Sequence, residues 1–427
     1  MVKPPRMKTK TAIVLAVLIM MVASATLAFG IVGYRTGIAC AEGKPIPHSE
    51  GEDASILPPE PSPYSATTVK DIMEQSLQSI SLPEIDRVMS DPKVRGLLDW
   101  APGSVKETVE RVSRGEPVLD IRGLSRYLMG YFLAEVRSNL VLLGKLILFC
   151  LVMALVTPIG SAFGSDAVTK VAEGACFLAL AVLVMGSFRI ASGVAAEAVR
   201  NLNQAILALL PTMTTLLAGS GAPVSAGILQ PTMVMTISGV AYVVSTYVLP
   251  ALLLAASLDI VGAMSDTFRL NHVSGFIRQA AMLVLGIGLS VFLGVVAVSR
   301  AAGEVSDNMA LRSAKFLSNS LIPVVGKMVS DATELVFSSS LLLKNAVGIA
   351  GMIAIVAIVV VPLLKILSLA AIYRLAGVLT QPIGSNRMSD CLHALASSIM
   401  TLWAAVLTVS IMAFLSVTAL VGLARPF

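Results

Sequence analysis

Charged residues are scarce in this chain: Asp, Glu, Lys and Arg make up only 13% of its 427 residues. A soluble globular domain carries about 25%, so the shortfall excludes a soluble protein of this length. Histidine is rarer still, with His48, His272 and His393 scattered along the sequence. The four cysteines, Cys40, Cys150, Cys176 and Cys391, form no CxxC pair or Cys/His cluster, which argues against a zinc site or a disulfide framework. Cys150 and Cys176 lie in apolar runs and read as inert buried thiols. No H-E-x-x-H, Walker A loop or G-x-S-x-G elbow is present, so nothing marks a metalloprotease, a nucleotide hydrolase or a serine hydrolase. Any ATP hydrolysis would fall to a partner. Basic residues interleaved with aromatics are missing too, which removes nucleic acid as a partner. No cofactor is implied.

What fills the chain is apolar sequence. Hydrophobic residues reach 56% and the mean hydropathy is +0.84. These values predict an all-α, polytopic helical membrane protein with an N-terminal signal segment and a small helical extracytoplasmic domain. The net charge of +5 comes from loop Lys and Arg, which orient a membrane protein in the bilayer.

The first ten residues carry Lys3, Arg6, Lys8 and Lys10, ahead of an uncharged run over 11–34. Residues 1–41 therefore read as a signal peptide or a longer, uncleaved signal anchor, and the chain beyond them leaves the cytoplasm. Residues 42–65, rich in Pro, Ser and acidic side chains, form a flexible tether. Over 66–137 the apolar residues recur at helical spacing, and Ser81 with Glu84 and Ser104 with Glu107 make two capping boxes. This helical extracytoplasmic or interfacial domain either packs on itself and the membrane or presents a docking face. Its last part, 118–137, is a basic amphipathic helix lying in the interface.

Residues 138–427 form the multi-pass membrane domain. Spans are expected at 139–159, 174–190, 279–299, 345–364 and 394–424. The stretch 201–258 holds no charge and exceeds one crossing. Pro211, Pro223, Pro231 and Pro250 favour broken helices there. Two apolar pieces, 316–329 with Pro323 and Gly326 inside it and 335–343, read as dipping or re-entrant segments, and the expected total is six to eight spans. Gly286, Ser290 and Gly294, four apart, make a small-residue face for close helix contact. Arg269 with Arg278, and Arg374 with Arg387, place the loops at 266–278 and 373–390 in the cytoplasm. The segment 300–344 then faces outward or re-enters.

Asp259, Lys145 and Lys365 are the ionisable groups set most deeply in apolar sequence. They are either an ion or proton relay, or charges that snorkel or pair at helix ends. Lys327 and Asp331 are four apart and can pair on one helix face. Lys344, Arg374, Arg387 and Asp390 complete the candidate interaction residues.

Several stretches resemble one family together: EVRSNLVLLGKL at 135–146, LPTMTTLLAGSG at 210–221, AKF with IPVVGK and SD over 314–331, SLLLKNAVG at 340–348, and QPIGSNRMSDCL at 381–392. They resemble stage III sporulation protein AE, from about Leu97 to the carboxyl end. Ser385 departs from the pattern, standing where an acidic residue is expected. The resemblance implies a mother-cell protein of endospore-forming bacteria, in the outer forespore membrane after engulfment. It further implies a channel complex with ring-forming partners and a secretion-type ATPase, and it supplies no catalytic residue. The competing reading is a stand-alone transporter coupled through Asp259 and Lys365.

Overall fold

The computed structural model describes residues 121–162, 166–264, 270–321, 325–383 and 386–423. The signal segment, the tether and the capping boxes lie outside the described residues, as do the side chains of Lys327, Asp331 and Arg387. Among the described residues there is no strand. The helices are α1 (Ile121–Ser138), α2 (Leu140–Ala162), α3 (Asp166–Gly219), α4 (Pro223–Val243), α5 (Leu249–Met264), α6 (Asn271–Leu321), α7 (Val325–Thr380) and α8 (Asn386–Val421).

Apolar sequence in lipid has to satisfy its backbone internally, and helix is the local solution. That demand overrides the prolines. Pro211, Pro231 and Pro362 sit inside continuous helices, so of the breaks expected over 201–258 the one at Pro223 is found and those at Pro211 and Pro231 are not. Pro250 is accommodated differently: a π turn, Val244–Val248, links α4 to α5 one turn ahead of it. The wider turn relieves the clash between the proline ring and the carbonyl of residue 246. α4 and α5 therefore act as one rod, Pro223–Ala263.

The expected gap between 190 and 201 is likewise absent, because α3 runs unbroken for 54 residues. The pieces expected to dip at 316–329 and 335–343 are instead the end of α6 and the first part of α7. Among the described residues, five helices are long and apolar enough to cross a bilayer, and the pair α1–α2, bent by 43°, makes a sixth if taken as one span. The bend falls at Asn139, where the Glu135 carbonyl accepts from both the Ser138 hydroxyl and the Asn139 amide, each at 2.8 Å. Those side chains compete with the helix ladder for one carbonyl.

Chain reversals are tight. After α3 the amide of Ala222 bonds the carbonyl of Leu217, and that of Gly221 bonds Ala218, both at 3.2 Å. Gly221 takes φ +91°, the left-handed cap that glycine adopts without strain. Pro223 then opens α4 at a position where no N–H is needed.

The rods alternate in direction. Gly351 abuts Leu209 and Tyr373 bonds Ser187, so α3 and α7 run antiparallel in a fixed register. Gly348 faces Val421 and Gly377 faces His393, which sets α7 against α8 in the same way. The end of α5, the start of α6, the end of α7 and the start of α8 thus share one end of the bundle, and the reversal at 220–222 lies toward the other. α7 and α8 form the core: 72% of their most apolar stretch is buried, against 22% for α6. Hydroxyls inside that core, such as Ser410 and Ser416, donate to carbonyls one turn back in α8, which satisfies them without a partner helix.

Candidate functional site

Two polar sites interrupt the apolar bundle, one toward each end. The first is built on Asp259, near the end of α5. Its carboxylate is buried, accepts from the Ser274 hydroxyl and is paired with the Arg278 guanidinium, both from α6. Arg278 also donates to the Ser398 hydroxyl of α8 at 3.1 Å. A hairpin of two helices is thereby fastened to the central rod. A carboxylate and a guanidinium in low dielectric attract strongly, but only when every remaining donor and acceptor is met. Here Ser274 meets one carboxylate oxygen, Arg278 the other, and Ser398 the guanidinium, so the carboxylate is closed in and the arrangement is a lock.

The second site surrounds Lys344, near the apolar start of α7's membrane stretch. Its side chain is fully buried, and its ammonium has no hydrogen-bond partner among the described residues. The charge acting on it is another cation, Arg300 of α6. Arg300 in turn approaches Gly422 and the last carbonyls of α8, where the helix dipole favours positive charge. At the same level, Asp307 of α6 caps α4: its carboxylate accepts from the amides of Val224 at 2.8 Å and Ser225 at 3.0 Å. Ala222 offers no side-chain cap of its own, so an acid 83 positions beyond Val224 supplies one.

A family model described as stage III sporulation protein AE matches residues 103–424. Over 358 residues the chain is 34% identical to stage III sporulation protein AE of Bacillus subtilis (strain 168), covering 83% of this chain and 89% of the relative. The chain belongs to this family. No solved structure matches it.

Within this sporulation-protein family member, the candidate residues are dispersed. Asp259 is paired, and no contact joins it to Lys145 on α2 or Lys365 on α7, both of which are exposed. Arg374 is half-buried on α7 and Asp390 is exposed on α8. Cys150 and Cys391 are buried and Cys176 half-buried, all as free thiols. Among the described residues no cluster of His, Cys, Asp and Glu could hold a metal ion.

Sequence reasoning misses Arg278, Arg300 and Asp307 as site residues. It places Arg278 in a loop, although Asp259 near the end of α5 and Arg278 near the start of α6 are 19 positions apart, a spacing that pairs charges between consecutive antiparallel helices. Lys344 carries a direct prediction. Replacing it with methionine, a near-isosteric apolar side chain, should stabilise the detergent-purified chain by about 1–4 kcal/mol, because an unpaired buried charge is removed. Thermal unfolding in detergent measures it, and a lower melting temperature for Lys344→Met would refute the unpaired state.

Proposed function

We propose that this chain is the membrane platform of the mother cell–forespore channel, seated in the outer forespore membrane and holding ring-forming subunits on one side and a secretion-type ATPase on the other. One observation carries the reading beyond family membership. Helices α6 and α7 do not stop where their uncharged stretches stop. α6 continues from Arg300 to Leu321, and α7 starts at Val325, well before Lys344. At 1.5 Å per residue, each extends about 30 Å past the uncharged depth. Helices this long, with Arg312 exposed on α6, are suitable posts for a soluble ring. The opposite end, with Arg374 and Asp390, would meet the ATPase.

The transporter reading carries less weight, because Asp259 is held in a closed lock rather than opened to a path. Deleting the chain is expected to arrest forespore development after engulfment, read as loss of heat-resistant spores. A copy with Arg312→Glu and Lys315→Glu should insert in the membrane but fail to restore spores. Normal spore numbers in the deletion strain would overturn the platform reading.

A further inference from the structure

A chain of contacts fixes depth in this bundle. The Ser238 hydroxyl of α4 bonds Asn203 of α3 at 3.1 Å. One half-turn along α4, Val240 meets Gly288 of α6. Gly288 lies at the centre of the uncharged run 279–299, the clearest single-span mark in the sequence. Asn203 is therefore close to the middle of the bilayer. At 1.5 Å per residue, Glu197, Arg200, Asn201 and Gln204 lie within about 9 Å of it, inside a hydrocarbon core whose half-thickness is about 15 Å.

All four of these side chains are exposed, and they recur every three or four residues along α3. They form a polar stripe followed on one side by exposed Leu207; on the other, exposed Ile190 and Arg189 lie about 20 Å from Asn203, beyond the hydrocarbon core. Lys365 of α7 belongs with them. The register set by Gly351 with Leu209 and Tyr373 with Ser187 puts Lys365 opposite the turn of α3 that precedes Glu197. At about 100° per residue from those contacts, Lys365 and Glu197 turn toward the same side of the α3–α7 pair. Neither they nor Arg200 has a hydrogen bond or ion pair among the described residues.

Bare charges at mid-membrane depth are not left facing lipid tails; they face protein or a water-filled cavity. Among the described residues the stripe meets neither. We propose that it is one wall of a water-filled seam closed by a second copy of the chain. Its charges identify the occupant. Glu197 is negative and Arg200 and Lys365 are positive, so the stripe is complementary to itself when two copies meet face to face, the isologous arrangement of a two-fold pair. The seam deepens the platform reading, on which its use as a conduit rests.

Two measurements on the full-length protein test it. In intact membranes, Glu197→Cys and Lys365→Cys should react with a membrane-impermeant maleimide several-fold faster than Ile287→Cys and Val291→Cys, which are exposed at the same depth on α6. Equal, slow labelling of all four overturns the seam. Separately, two differently tagged copies should co-purify in mild detergent. Glu197→Lys should cut that recovery several-fold, and pairing the Glu197→Lys chain with a chain carrying Arg200→Glu and Lys365→Glu should restore it. Glu197→Gln, nearly isosteric, guards against a folding defect and should weaken pairing while melting as the parent does. Pairing indifferent to all of these charges overturns the second-copy assignment. Should the labelling fail while the deletion strain still cannot sporulate, the platform reading stands and the seam does not.

Discussion

Arg278→Ala is expected to destabilise the detergent-purified chain by about 3–5 kcal/mol, because it strands a buried carboxylate. Arg278 is the only cation paired with Asp259 among the described residues, and the Asp259 side chain is wholly buried, while that of Arg278 is 16% exposed. The loss is not confined to one bond. Ser398 loses its bond to Arg278 as well, which loosens the tie between α8 and the α5–α6 pair. Replacing both charges with apolar groups, Asp259→Leu with Arg278→Met, should recover much of the loss, since the penalty comes from the unpaired ion rather than from the missing attraction. Thermal unfolding of the three variants decides it. An Arg278→Ala chain that melts with the parent would show that the lock contributes nothing to stability.

Gly303→Ala should be nearly as damaging. A methyl group built there would stand 2.8 Å from the Cα of Ser225, closer than real side chains approach backbone. Either α6 or α4 must move. Overpacking of this kind costs about 1–3 kcal/mol, and there is a second cost. Asp307 lies one turn along the same face of α6, so separating the helices opens its two bonds to the first amides of α4. Charge-assisted bonds of that sort are worth about 1.5–3 kcal/mol each. Gly286→Ala, on the same helix with nothing within 4 Å, is the control and should melt at or slightly above the parent. Equal melting of the two variants would mean that the α4–α6 approach is looser than described.

The class of fold is legible in the sequence because it rests on composition and run length, which lipid converts directly into helices. The run 279–299 reads as one span, and it lies inside α6. Continuity is what the sequence hides. Pro211 and Pro231 read as breaks because in water a proline frees a carbonyl to the solvent, whereas in this bundle the surrounding helices keep the rod intact. Polar residues near 200 read as a boundary between spans, yet α3 carries them straight through on its outer face. Asp259 stands out as an isolated acid, but Ser274 and Arg278 reach it from the next helix, and pairing between separate helices leaves no periodic trace. Lys344 is conspicuous for its apolar setting; that its ammonium lacks a partner depends on packing across α6 and α8, which no local pattern encodes.

The unbroken length of α7 has a mechanical meaning. From Val325 to Thr380 it contains 56 residues of helix, about 84 Å at 1.5 Å per residue, with no loop along the way. Such a rod has no loop to take up slack, so a push or twist at one tip is carried along the helix toward the other. Machinery gripping the two tips would be geared to each other through a single piece of polypeptide.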